Sequence, residues 1–137
     1  MPVNERNRRA ELIQASFTGD TCIISLFDPN VKVETTDDIV ENILTKIDEY
    51  EDLFECQFDE TPSGYVFHVL EPRLLVSFGC RMDKRGGGFW DEILGVMGGE
   101  FSCILWSRNT RAIRWLQKNG MEITNELDNI KVLQLCQ

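Results

Sequence analysis

The chain has 137 residues, 42% of them hydrophobic, and a formal net charge of −9. That length predicts one domain over residues 1–137, large enough for a two-layer core. No run of about 18 apolar residues occurs, which excludes a membrane-spanning helix, and the polar start Met1–Ala10 has no apolar stretch behind it to form a secretory leader.

In chain order, the first predicted element is a helix over 4–17, with Asn4 as its cap and Ala10, Ile13 and Phe17 on one side. Gly19-Asp20 breaks it. Thr21–Phe27 reads as a strand, ended by the Asp28-Pro29-Asn30 turn, and Val31–Val33 as a short return arm. The clearest helix follows over 36–54. Ile39, Val40, Ile43, Leu44, Ile47, Tyr50, Leu53 and Phe54 recur there with a period of 3.6. Thr35 or Thr36 caps it, and Asp37 and Asp38 suit its positive N-terminal end. Its outer face is acidic, as on many solvated surface helices.

Phe54–Phe58 begins a strand and Thr61–Gly64 turns. Gly64–Leu70 and Arg73–Cys80, linked tightly by Glu71-Pro72, predict an antiparallel hairpin. Asp83–Gly88 is a glycine-rich turn that opens a helix over 89–97, with Trp90, Ile93, Leu94 and Met97 on its buried face. Gly98-Gly99 ends that helix and strand 101–106 starts almost at once. Asn109 then caps a short helix with Ala112, Ile113 and Leu116 on one side, and Gly120 stops it. A strand-turn-strand finishes in Ile130–Cys136. The order predicts an α/β fold, a mixed, mostly antiparallel twisted sheet with helices on both faces. Strands 73–80 and 101–106 are expected to be central parallel neighbours that splay apart, because a right-handed crossover joins them.

Charge is uneven along the chain. Residues 28–60 hold twelve acids and two lysines, whereas Arg81–Lys118 holds seven bases and four acids. The basic patch is too small for a nucleic-acid surface and suits a small anionic ligand. The five cysteines include no Cys-x-x-Cys pair and the chain has one histidine, so no metal site is expected. Each cysteine lies in or beside an apolar run, the pattern of buried thiols in a reducing, cytoplasmic compartment.

A glycine turn between a strand and a helix N-terminus is suited to anions, since bare amides and the helix dipole converge there. Lys84, Arg85, Gly86, Gly87 and Gly88 supply that turn, although the same glycines also serve a plain turn. Neither a P-loop nor a dinucleotide fingerprint is present. His68 and Glu71 are the candidate general bases, and His68, which shares a face with Val66 and Leu70, also fits a packed histidine. Cys80 has no obvious histidine partner for nucleophilic work.

The run from Asn109 through Ala112, Ile113 and Lys118 to Gly120, set between two apolar strands, resembles the closing part of the GNAT superfamily of N-acetyltransferases. The spacing of Asn109, Thr110, Ile113, Arg114, Leu116 and Gly120 is similar to that in the small GNAT-like proteins (internal virion protein A type) of T7-like podophages. The likeness is specific over 101–136 and weaker over 64–100. Three positions depart from the superfamily pattern: Leu116 stands for a Tyr that often protonates the leaving thiolate, Met121 for a Phe, and Asp83 for an Arg or Gln.

The resemblance implies acetyl-CoA as a substrate. Its pyrophosphate would sit at Arg85–Gly88 and its pantetheine arm between the two splayed strands, with a backbone donor near Ser77–Gly79 and an amine as acceptor. Phe78, Gly79, Arg81, Lys84, Arg85, Gly86, Gly87, Gly88 and Asn109 are the cofactor-binding residues it implies. The alternative it implies is a GNAT-shaped phage protein, silent in catalysis, that binds a host or virion protein in the host cytoplasm. A further reading makes the acidic 36–60 face a mimic of a nucleic-acid backbone.

Overall fold

The structure is a computed structural model that describes residues 3–16 and 35–135. The strand predicted at 21–27, the arm at 31–33 and Phe17 lie outside these residues. The described elements are α1 (Val3–Ala15), α2 (Thr36–Leu53), β1 (Cys56–Glu60), β2 (Gly64–Val69), β3 (Leu74–Cys80), α3 (Phe89–Met97), β4 (Phe101–Trp106), α4 (Thr110–Lys118), β5 (Glu122–Leu127) and β6 (Ile130–Leu135). A single 3-10 turn, Met82–Lys84, lies between β3 and α3.

Among the described residues six strands form one sheet in the order β1-β2-β3-β4-β6-β5. Every neighbouring pair is antiparallel except β3 and β4, which are parallel and pair only at Leu74↔Ser102 and Leu75↔Cys103. Beyond those two rungs the strands part, so the expected splay opens towards the C-terminal ends of β3 and β4. Val76 is an extra residue in β3, since Phe67 pairs with Ser77 and His68 with Leu75. This bulge turns two consecutive side chains, Val76 and Ser77, to the same face, and bulges of this kind re-aim a strand beside functional sites.

Each face of the sheet carries two helices and its own core. Leu12 and Ile13 of α1 and Val40, Ile43, Leu44 and Ile47 of α2 pack on Tyr65, Phe67, Val69 and Val76. On the other face Phe89, Ile93 and Met97 of α3 and Ala112, Ile113 and Leu116 of α4 pack on Val66, Leu75, Phe78, Cys103 and Leu105. The apolar periods of α4 and of α2 as far as Ile47 point where the sequence put them; in α3 Ile93 and Met97 do so, Trp90 and Leu94 are only partly buried, and Phe89 is buried as well.

Local chemistry sets the helix ends. The Thr35 hydroxyl accepts from the Asp38 amide at 3.1 Å while the Asp38 carboxylate accepts from the Thr35 amide at 3.0 Å, a reciprocal capping box. Asn4 is inside α1, so it is not a cap. Gly120, at φ +104, follows α4, and the Met121 amide reaches back to the Leu116 carbonyl at 3.1 Å, as a left-handed helix terminus requires. Asn109 holds the N-cap position of α4 with φ −81 and ψ 61 and makes no side-chain cap bond. Its backbone is not in the extended region from which a capping side chain reaches the first-turn amides, which corrects the sequence expectation.

The acidic face of α2 is partly answered from within the chain. Arg6 binds Glu41 at 2.6 Å and Asp48 at 2.8 Å, and the buried Arg9 binds Glu51 at 2.9 Å. A continuous acidic mimic along 36–60 is therefore interrupted by α1. The stripe's last two residues, Leu53 and Phe54, are exposed instead of buried.

Candidate functional site

The splay between β3 and β4 and the glycine turn after β3 lie at the same end of the sheet. The turn is built from short-range bonds. The amides of Lys84, Arg85 and Gly87 close onto the carbonyls of Arg81, Met82 and Lys84, and the Asp91 amide onto Gly88. The amides of Gly86, Gly88, Phe89 and Trp90 take no part in those turns, and first-turn helix amides have no intrahelical acceptor. Gly86 and Gly88 have φ of +85 and +88, which require glycine. A Cβ on Gly86 would meet nothing within 4 Å, so the space above it is open.

The basic side chains around the turn are not equivalent. Arg81 pairs with Asp83 at 3.4 Å, so the misfit acid is neutralised locally. The Arg85 Nη2 donates to the Ser16 carbonyl at 2.7 Å, while its Nε is buried and unpartnered. Lys84 is exposed and has no ion-pair partner among the described residues. It is the cation best placed to meet an anion over the glycines.

The turn is braced from below. The Arg81 amide donates to the Ser63 carbonyl at 2.7 Å. Glu92, in the first turn of α3, accepts from the Ser63 amide at 2.8 Å and from the Ser63 hydroxyl. Burial pushes the Glu92 carboxyl up, but the hydrogen bonds from Ser63 and Thr61 outweigh it and hold the group below its ordinary value. Nothing in the one-dimensional pattern of 61–64 and 92 marks this brace.

At the end of β3, Gly79 has a structural reason of its own. A Cβ there would lie 2.6 Å from the Ser16 hydroxyl and 2.8 Å from the Tyr65 ring. Phe78 is fully buried, its ring stacked 5.8 Å from Trp115 of α4, which in turn lies 6.0 Å from Phe89 and edge-on to Trp90. These four rings pack on one another where β3, α3 and α4 meet. Leu116 is fully buried in the same core. On the opposite face of β3, the Ser77 hydroxyl and the Tyr65 hydroxyl lie 3.0 Å apart, both buried.

The two candidate bases lie elsewhere. His68 Nε2 is 3.0 Å from Asp59 Oδ2 on β1, a neighbour on the side away from β4. The Asp59 carboxylate also accepts from Gln57 at 2.8 Å. His68 and Asp59 line a cleft of about 500 Å³ with Arg73 and the C-terminal residues of α3. Glu71 is exposed in the β2–β3 turn. Strand β3 separates His68 from the splay, and Glu71 lies before β3 at the end where β3 and β4 are joined.

Cys80 is buried and burial pushes its thiol up, which disfavours the thiolate a nucleophile needs. No group of His, Cys, Asp and Glu that could hold a metal occurs among the described residues, and none of their helices is long and apolar enough to cross a membrane.

No family model matches the sequence, and a comparison with curated proteins gives no match. Solved structures do match. An acetyltransferase from Thermus thermophilus superposes with a TM-score of 0.64 at 15% identity, over 96% of this chain and 90% of that one. The PaiA N-acetyltransferase from Thermoplasma acidophilum, in complex with coenzyme A, superposes with a TM-score of 0.60 at 13% identity, over 100% and 96%. The fold is that of the GNAT acetyltransferases. Among the described residues, the mostly antiparallel six-stranded sheet with one parallel pair and the four helices match that fold.

Proposed function

We propose that this chain is a GNAT-type acetyltransferase that takes acetyl-CoA and transfers its acetyl group to an amine. The observation that carries the reading is the β3–β4 pair, joined at two rungs and opening towards a glycine turn at the N-terminus of α3. A wedge of that kind exposes strand backbone groups to an extended thioester arm, and the turn offers amides to a pyrophosphate. In this reading the pyrophosphate meets Lys84 and Gly86–Gly88, with Arg81 and Arg85 nearby, and the pantetheine runs towards Phe78 and Gly79. That one structural neighbour holds coenzyme A supports this choice of substrate.

The chain's own residues would hold the thioester and exclude water. Val76 and Ser77 bend β3 at the closed end of the wedge, and the Phe78–Trp115–Phe89 stack walls it on one side. Deprotonating the amine falls to solvent or to a group brought by the acceptor, since His68 lies a strand away and Glu71 at the closed end of the wedge. Leu116 cannot protonate the leaving thiolate. General acid–base help is worth about 10²–10⁴-fold, so turnover is expected to be slow. Thiol release from acetyl-CoA, measured against a panel of primary amines, tests the activity; no release above the amine-free rate would sink it.

The second reading is a silent GNAT-fold protein, of the podophage kind that the sequence resembles, acting by binding a host or virion protein. Complete burial of Leu116 and the aromatic filling of the α3–α4 groove favour it. A protein that binds neither coenzyme A nor acetyl-CoA, yet captures one partner stoichiometrically, would decide for it.

A further inference from the structure

We propose that the end of the molecule where α2 meets the β2–β3 turn is a docking surface for a basic, amphipathic segment of another protein. Three apolar side chains stand out there: Leu53 is 75% exposed, Phe54 45% and Leu70 36%. The Leu70 amide donates to the Glu55 carbonyl at 2.9 Å, which brings the hairpin end beside the end of the helix, so Leu70 continues the Leu53–Phe54 patch around the sheet edge. The Tyr50 ring, 6.0 Å from that of Phe54, extends it.

The patch is ringed by acid. Asp52, Glu55 and Glu71 are exposed and have no ion-pair partner among the described residues. On the same helix Glu41, Asp48 and Glu51 are each answered by an arginine of α1. The contrast matters, because carboxylates near a helix C-terminus oppose its dipole and α2 has no basic residue in its last turn. Exposed apolar groups and unanswered acids at one helix end both run against the stability of the isolated chain. A contiguous apolar patch with a polar rim is the form of an interaction site. The charge selects the occupant: acids repel nucleic acid and anionic lipid and attract lysine and arginine. The cleft beside it, lined by Gln57, Asp59, Val69 and Leu70, gives room for a further side chain of the guest.

This surface is remote from the glycine turn and stands whether or not the chain transfers acetyl groups. The test uses the full chain and a labelled amphipathic helix of leucine and lysine, about five turns long, titrated by fluorescence anisotropy at about 150 mM salt to screen diffuse attraction. Wild type should bind. Leu53→Ser with Phe54→Ser, and separately Asp52→Asn with Glu55→Gln and Glu71→Gln, should each weaken binding by about tenfold or more. A control triple at the other end, Asp91→Asn, Glu126→Gln and Asp128→Asn, should leave it unchanged. If the apolar double variant fails to fold, Leu53→Ser alone carries the comparison. No binding by wild type, unchanged binding by the patch variants, or equal loss in the control triple would each overturn the proposal. So would self-association of wild type that Leu53→Ser abolishes, because the occupant would then be a second copy of this chain.

Discussion

Glu92 and Ser63, 29 residues apart, tie the first turn of α3 to the turn between β1 and β2. The carboxylate takes the Ser63 amide at 2.8 Å and the Ser63 hydroxyl as well. Through the Ser63 carbonyl, which accepts from the Arg81 amide, the same contact reaches the glycine turn. The candidate anion site is thus mounted on a hairpin turn it never contacts in sequence.

The first prediction concerns this brace. The Glu92 pKa is depressed in the folded state, so its contribution is present above the unfolded value and lost as pH falls through the folded one. Glu92→Gln should lower stability near neutral pH by about 1–2 kcal/mol, the scale of a charge-assisted hydrogen bond discounted for partial exposure. It should also flatten the acid limb of the stability curve. Urea melts of both proteins between about pH 3 and 7 check this. An equal acid slope in the variant would show that the brace is idle.

A second prediction separates backbone strain from ligand contact in the turn. Gly86→Ala and Gly88→Ala place an L side chain at positive φ, at a cost of about 1–2 kcal/mol each. They therefore perturb the turn itself and are poor probes of binding. Lys84→Glu changes only an exposed side chain and should leave the melting temperature within about 1 °C while weakening any phosphate-bearing ligand. Differential scanning calorimetry of the three variants checks the distinction.

Leu116 gives a third. It is fully buried among Phe89, Ile93 and Leu135 in the α3–α4 core. Leu116→Tyr would overpack that site by a ring's far edge and bury a hydroxyl, so it should cost about 1–3 kcal/mol. It should not raise the rate of acetyl transfer. A stable, faster Leu116→Tyr protein would mean that a channel reaches this position.

Cys103 supplies a fourth. It is fully buried in β4, and burial pushes its thiol far up. In the native protein it should resist alkylation at about pH 8 and react only on unfolding. Site-resolved mass spectrometry after iodoacetamide reads this directly, with half-buried Cys56 as the internal comparison.

How much was legible follows from what each feature depends on. The α2 stripe, the buried faces of α3 and α4 and the Gly120 terminus were readable because period and glycine chemistry are local. The parallel β3–β4 pair was readable because handedness limits a strand–helix–strand unit to one arrangement. The Val76 bulge was not, since it exists only as a mismatch between two strands. The Glu92–Ser63 brace and the Arg6 and Arg9 pairs with α2 were not either, because long-range polar partners carry no period. His68 already fitted a packed histidine in the strand pattern, but its partner was not readable, because only the β1–β2 register, Asp59↔Val66 and Gln57↔His68, brings Asp59 within reach of its ring. Asn109 shows the converse, a residue type suited to capping in a backbone geometry that does not use it.

The most direct test of the central claim is calorimetric titration of coenzyme A into wild type and Lys84→Glu. The account predicts saturable one-to-one binding to wild type, with stabilisation near 2.7 kcal/mol at about 100 times Kd, and binding about tenfold weaker in the variant with an unchanged fold. No heat and no thermal shift with wild type at coenzyme A concentrations up to about 1 mM, a limit corresponding to roughly −4 kcal/mol of binding, would contradict it.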